Sequence, residues 1–278
     1  MTILRAGVAR RVITAPSGIF LIGYGNRIQG NIGVHDDLFV TTLVVDDGSR
    51  RAAILTVDQC FINAKIVAQI KIRLETECGI AADAVFICCS HTHSGPVGYA
   101  DEHSQPQDHD YISFLIKRLV ESAVEALQNA QPVTLRAGAD ESDININRRE
   151  RTPSGEIIIG NNPDGLVDHS VQVVQVVGGG NKIIATLVNY ACHPVVMGPL
   201  NRLASADWVG AMRQTVENHI PGLCLFIQGA TADINPLKMR WTADNWDEVE
   251  EQGRRLHQLR WNQALARLRP AKQPDWRA

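Results

Sequence analysis

Three histidines carry most of the chemistry in this chain. His91 and His93 stand in Ser90-His-Thr-His-Ser-Gly-Pro96, and His193 stands in Ala191-Cys-His-Pro194. Imidazole is the commonest nitrogen ligand for zinc, and its pKa lies closer to neutrality than that of any other side chain. Residues two apart in an extended loop project to the same side. One of the pair could therefore hold a metal while the other moves a proton. Each group follows a short apolar run, Val85–Cys89 before the first and Ile183–Val188 before the second. In open α/β sheets, ligands gather beyond the carboxyl ends of strands. Two histidine loops at strand ends predict a metal-dependent active site. On these residues by themselves, a half-buried, hydrogen-bonded structural histidine is the competing reading at each position.

Other polar residues fall near the same strand ends. Arg148, in Asn145-Ile-Asn-Arg-Arg149, could orient a carboxylate or polarise a carbonyl, or be a solvated surface charge. Asp58 closes its strand and reads first as a cap, with metal ligand or histidine partner as alternatives. Asp207 reads as a charge at a helix N-terminus, and the pair Asp36–Asp37 as a turn. Asp233 lies in Gly229–Pro236, a loop expected to reach the site from a third strand. The sequence carries no Walker motif, dinucleotide fingerprint or Gly-x-Ser-x-Gly elbow.

The elements that must position these residues alternate along the chain. Ala52–Asp58, Val85–Cys89, Val133–Ala137, Val171–Val177, Ile183–Val188 and Leu223–Ile227 are apolar or alternating runs of strand length. Helical periodicity marks Ala64–Cys78, stopped by Gly79, and Tyr111–Asn129. Asp207–His219 and Ala243–Leu268 have the same character, and Gly178-Gly-Gly180 reads as a hairpin turn. Interleaved strands and helices predict an α/β layered domain with mixed sheets flanked by helices. A chain of 278 residues can build its core without disulfides. The six cysteines show no CxxC spacing and read as buried reduced thiols, which fits a cytoplasmic location. The net charge of -3 with no basic stripe argues against nucleic acid as a partner. No signal-peptide core is visible. Ile183–Leu200, though uncharged, is interrupted by Asn189, His193, Pro194 and Pro199, so no transmembrane segment is expected.

Taken together, several stretches resemble one family. They are Ala6-Gly-Val-Ala-Arg10, Gly23-Tyr-Gly25 with Gly33-Val-His35, Ser90–Pro96, Asn147-Arg148, Asn189-Tyr-Ala-Cys-His-Pro194, Ser205-Ala-Asp207, and Gln228-Gly-Ala230 with Asp233-Ile-Asn-Pro236. In this order they resemble the N-terminal catalytic region of the neutral/alkaline non-lysosomal ceramidases. The resemblance implies hydrolysis of the amide of N-acylsphingosine with zinc as cofactor. It implies that His91 and His193 are zinc ligands, that His93 exchanges protons with substrate, and that Arg148 lines the site. Two departures stand out. Asn235 occupies the place of a family serine; it can hydrogen-bond to an oxyanion but cannot attack as a hydroxyl. A later glutamate and tyrosine that complete the family's zinc site match no segment here.

The combined expectation is one ceramidase-like catalytic domain over residues 1–278, without the family's C-terminal part, in a bacterial-type cytoplasmic protein. Its function would be zinc-dependent hydrolysis of a linear N-acyl amide or lipid. The alternative is a catalytically silent homologue that binds without turnover.

Overall fold

The computed structural model describes residues 3–102, 104–239 and 244–257. The chain runs β1 (Arg5–Val12), β2 (Gly33–Val34), β3 (Phe39–Asp46), β4 (Arg51–Val57), α1 (Ala64–Cys78), β5 (Val85–Cys89) and α2 (Pro106–Gln128). It continues through β6 (Gln131–Pro132), β7 (Thr134–Glu141), β8 (Asn145–Arg151), β9 (Ile157–Asn162), β10 (Ser170–Val177) and β11 (Ile183–Tyr190). The last elements are β12 (Leu203–Ala204), α3 (Trp208–His219), β13 (Leu223–Gln228), β14 (Ile234–Pro236) and α4 (Trp246–His257).

Two mixed sheets dominate. The first has the order β5-β4-β3-β1-β6, and the second β13-β11-β10-β7. Each contains one parallel pair at its edge, β4 with β5 and β11 with β13; the other pairs are antiparallel. A small antiparallel sheet, β14-β8-β9, stands beside them.

The layers follow from period-two alternation along the strands. In β3, Val40 and Val44 pack with Ile70, Leu74, Leu115 and Leu119 of α1 and α2. Leu43 of the same strand faces the other way, into a cluster with Ala185, Leu187 and Leu225 of the second sheet. In β11, Leu187 lies in that inter-sheet cluster, while Val188 and Tyr190 join Trp208, Met212 and Val216 on the α3 side. The result is two sheets face to face with a helical layer outside each. This is the layered α/β architecture expected from the sequence.

Local signals explain the helix boundaries. Asn63 accepts from the Ile66 amide at the start of α1, and Gly79 ends it in the left-handed conformation (φ 63°). The second helix begins at Pro106, five residues before the apolar periodicity. Its first turn is polar and is started by Pro at N1, with Asp108 accepting from the Gln105 amide. Periodicity misses such a turn because it carries no apolar side chain on the buried face; its one buried residue is Asp108. Gly7 lets this helix approach β1 closely: a Cβ there would lie 2.0 Å from the Ala126 carbonyl oxygen. Of the helix expected from Ala243 to Leu268, α4 covers Trp246–His257; Asp244 and Asn245 are not helical, and 243 and 258–268 lie outside the described residues. The described cysteines form no disulfide, and no described helix is long and apolar enough to cross a membrane.

Candidate metal centre and active site

The two parallel strand pairs end at the same place. The loop after β5 carries His91 and His93, the loop after β4 carries Cys60, and the loop after β11 carries His193. Beyond β13, residues 229–233 lead into β14 and Asn235. The three histidine rings meet with centres 4.8 Å (His91–His193), 5.1 Å (His91–His93) and 5.6 Å (His93–His193) apart, each pair edge to face. The structure thus brings together all three histidines singled out in the sequence.

Their orientations are set by backbone carbonyls. His91 Nδ1 lies 2.8 Å from the Cys60 carbonyl, and His193 Nδ1 lies 2.9 Å from the Ile234 carbonyl. A carbonyl can only accept, so each Nδ1 carries the proton and each Nε2 keeps its lone pair. This is the arrangement by which proteins orient metal-ligating histidines. The loop is strained to achieve it: His91 has φ 68°, a conformation non-glycine residues seldom adopt. Its amide donates to the Gln59 carbonyl. Two imidazoles on one tetrahedral zinc, with Zn–N of about 2.0–2.1 Å, place their ring centres roughly 5 Å apart. The observed 4.8 Å between His91 and His193 fits.

Cys60 was not singled out as a donor by the sequence reading. Its thiol lies 3.6 Å from His91 Nδ1, and Cys60, His91 and His93 hold one ligand-type atom each within 4.8 Å of the others. Yet Nδ1 is committed to the Cys60 carbonyl, and burial pushes the Cys60 thiol up to about 11. The thiol stands on the Nδ1 side of His91, so a metal held at His91 Nε2 would have His193 as its neighbouring imidazole.

His93 differs from its neighbours. Its Nδ1 is buried without a protein partner. Its ring meets the edge of Tyr24 at 5.0 Å, and its carbonyl accepts from buried Arg27. Burial first, then His91 and His193, pushes its pKa down to about 3; burial likewise takes His193 to about 4. Both shifts favour the neutral ring, the form in which an imidazole can ligate a metal or accept a proton.

Arg148 reaches the site from β8. Its amide donates to the Asp233 carbonyl, and Nη1 donates to Asn235 Oδ1 at 3.3 Å. Its Nε is buried without a protein partner, and burial holds the guanidinium below its ordinary pKa. Asn235 turns its amide nitrogen toward the Met239 thioether, a weak acceptor. The hydrogen bond that Asn235 could offer an oxyanion is thus turned toward Met239. These groups line one end of a cavity of about 440 Å³, whose wall includes Ile22, Phe61, Ile159 and Val195.

Two of the aspartates, Asp58 and Asp36, do more than expected. Asp58 is not a cap: it forms a buried two-bond pair with Arg213 (3.0 and 2.7 Å) and accepts from the Phe39 amide. Asp207 caps α3 as expected, and also accepts from the Val196 and Met197 amides, shaping the turn after His193. Its pKa is raised to about 6 by burial. Asp36 accepts from Ser205 Oγ and the Ala206 amide, tying down that same segment rather than merely turning the chain. Asp233 accepts from Asn147 Nδ2 and supports Arg148 from behind.

A layered α/β fold with imidazoles converging at strand ends gives a candidate metal site. The particular family follows from comparison. The family described as "Neutral/alkaline non-lysosomal ceramidase, N-terminal" matches residues 4–226, and the chain belongs to it. Relatives include the neutral ceramidases of Drosophila pseudoobscura pseudoobscura (26% identical over 256 residues, 83% of this chain and 35% of the relative) and Drosophila melanogaster (26% over 259 residues, 83% and 35%). Neutral ceramidase A of Dictyostelium discoideum is 24% identical over 245 residues, 78% of this chain and 33% of the relative. The chain thus spans about a third of the length of these relatives. The neutral ceramidase of Pseudomonas aeruginosa superposes with a TM-score of 0.78 at 21% identity, covering 92% of this chain and 44% of that one. A ceramidase complexed with C2 gives a TM-score of 0.78 at 21% identity, over 92% and 43%. Both likenesses are of fold.

Proposed function

We propose that this chain is a zinc-dependent amide hydrolase acting on an N-acyl amide, with His91 and His193 as metal ligands. The observation that carries the reading is the pair of Nδ1-anchored imidazoles 4.8 Å apart at the ends of two strands. Family membership supports the reaction class. Zinc bound there would polarise an acyl carbonyl and acidify water.

The chain's own groups supply the rest. The apolar wall receives the acyl portion and keeps bulk water away from the carbonyl. Arg148, with Nε uncommitted, faces the oxygen on which negative charge develops. His93, neutral and unpartnered at Nδ1, takes a proton from the attacking water and returns it to the leaving nitrogen. The direct test is metal analysis of protein purified without chelator, paired with hydrolysis of N-acyl amines. One metal per chain and zinc-dependent release of amine are expected; metal-free protein that also fails to take up added zinc would sink the reading.

Substrate range gives a sharper expectation. Asn235 cannot act as a hydroxyl nucleophile, and its amide is held between Arg148 and Met239. Water-soluble N-acyl amines should be cleaved better than long-chain ceramide by the purified chain. Robust ceramide turnover that persists in Asn235→Ala would overturn this preference. Asn235 also favours a second reading, a homologue that binds the acyl amide without turnover. In that case zinc would bind and none of the panel would be hydrolysed.

Gly23 makes the placement of His93 testable without touching it. A Cβ at Gly23 would lie 2.4 Å from His93 Cγ, and Gly23 has φ 114°. Gly23→Ala should push the ring aside and lower turnover by about 10²-fold, the scale of an ångström misplacement. Metal content should stay at the wild-type level. Unchanged turnover in a folded Gly23→Ala protein would mean that His93 is not positioned by this contact.

A further inference from the structure

The two histidine loops belong to different sheets. His91 follows β5 in the first sheet, and His193 follows β11 in the second. Within the described residues, no strand ladder joins β5 to β11, so sheet pairing does not set the distance between the rings. The sheets meet through side-chain packing, which tolerates sliding more readily than a ladder does. A metal ion needs its two nitrogens held to within a fraction of an ångström. Something directional has to bridge the gap.

Gln228, the last residue of β13, is placed to do so. Its side-chain Nε2 donates to the Ser90 carbonyl at 2.8 Å and to the Cys192 carbonyl at 3.0 Å. Ser90 immediately precedes His91, and Cys192 immediately precedes His193. Its backbone amide lies 3.3 Å from Cys88 Sγ on β5. Pairing with Tyr190 across the parallel β11–β13 ladder fixes its own position. One planar amide thus uses both its hydrogens on the peptide units that launch the two rings. Its Oε1 is buried and has no protein partner, so the side chain is held through its donors.

We propose that Gln228 is the positioning residue that sets the separation of the His91 and His193 loops, and through it the metal affinity of the site. It touches neither metal nor substrate; it acts through the two carbonyls. The inference rests on the zinc reading above. Partners that orient metal ligands typically change metal affinity about 10–100-fold when removed.

The decisive variant is Gln228→Glu. It keeps the shape but turns the donor into a group that repels two carbonyl oxygens. Gln228→Asn keeps the donor but is one methylene too short to reach both carbonyls. Zinc affinity would be measured by competition with a chromophoric chelator, and site geometry by the visible spectrum of the cobalt-substituted protein. In both variants affinity should fall about 10–100-fold with one site retained and an altered cobalt spectrum. Ser122→Ala is the control for general destabilisation, because Ser122 Oγ bonds Ala9 O and Thr42 Oγ1 on the opposite side of the first sheet. It should leave zinc affinity and the cobalt spectrum unchanged. Should Gln228→Glu fail to fold, Gln228→Asn carries the test. Wild-type affinity in a folded Gln228 variant, or an equal loss in Ser122→Ala, would overturn the inference and leave the zinc reading standing. A wild-type chain that binds no metal would overturn both.

Discussion

In His93→Ala, turnover of an N-acyl amide should drop about 10²–10⁴-fold, the usual worth of general acid–base help, with zinc content unchanged. His91→Ala should lose both zinc and turnover. The difference follows from the hydrogen bonds. His91 Nδ1 is committed to the Cys60 carbonyl, which leaves Nε2 for a metal, whereas His93 Nδ1 has no protein partner. The fold holds His93 in place between buried Arg27 on its carbonyl and the Tyr24 edge. Its pKa of about 3 comes first from burial and then from neighbouring His91 and His193. A ring so depressed is neutral before reaction. Negative charge developing on the substrate raises its basicity when a proton must be taken, and the unfavourable imidazolium releases that proton readily to the leaving nitrogen. Kinetics and metal analysis on the same preparations decide the matter; equal zinc loss in the two variants would show that the roles are misassigned.

The largest stability effect is expected at Arg213. Arg213→Met should cost about 3–5 kcal/mol, the usual penalty for leaving a buried charge without its partner. The Arg213–Asp58 pair is nearly sealed, with side-chain exposures of 6% and 2%. Asp58 also accepts from the Phe39 amide, and the Arg213 guanidinium sits 5.3 Å from the centre of the Phe39 ring. The pair therefore ties α3 of one outer layer to the end of β4 in the opposite sheet. That strand end opens the loop carrying Cys60, whose carbonyl orients His91. Restoring neutrality with Asp58→Asn in the Arg213→Met background should recover a large part of the loss, because asparagine can still accept from Phe39. Urea unfolding of the single and double variants measures both quantities. A loss under about 1 kcal/mol in Arg213→Met, the scale of an exposed pair, would show that the buried bridge does not anchor this layer.

Much of the fold could be read before any coordinates, because it rests on local pattern. Val85–Cys89 is a strand at the bounds expected, and Ala64–Cys78 is a helix at the bounds expected, since a short β-branched run and a glycine stop are visible within a few residues. The layered α/β class follows from the same alternation. The histidine loops were legible for a related reason: Ser90–Pro96 directly follows β5, and Asn189–Pro194 begins in the last two residues of β11. Arg148 was named through its motif as well, although nothing in the sequence tells that its Nε is buried without a protein partner.

What only the tertiary structure decided depends on residues far apart in the chain. Asp58 looked like a cap because its partner, Arg213, is 155 positions away. Cys60 looked like any buried thiol, yet its carbonyl fixes the tautomer of His91. Gln228 had value in sequence only as part of a motif, while in space it joins two loops from different sheets. Asn235 could be read only as a side chain able to hydrogen-bond but not attack; the structure turns its amide nitrogen toward Met239. Local propensities set where strands and helices begin and end, but hydrogen-bond partners across a sheet–sheet interface are chosen by packing. The sequence therefore determined which residues could do the chemistry. The packing of the two sheets decided which nitrogen of each histidine faces the site and what holds it there.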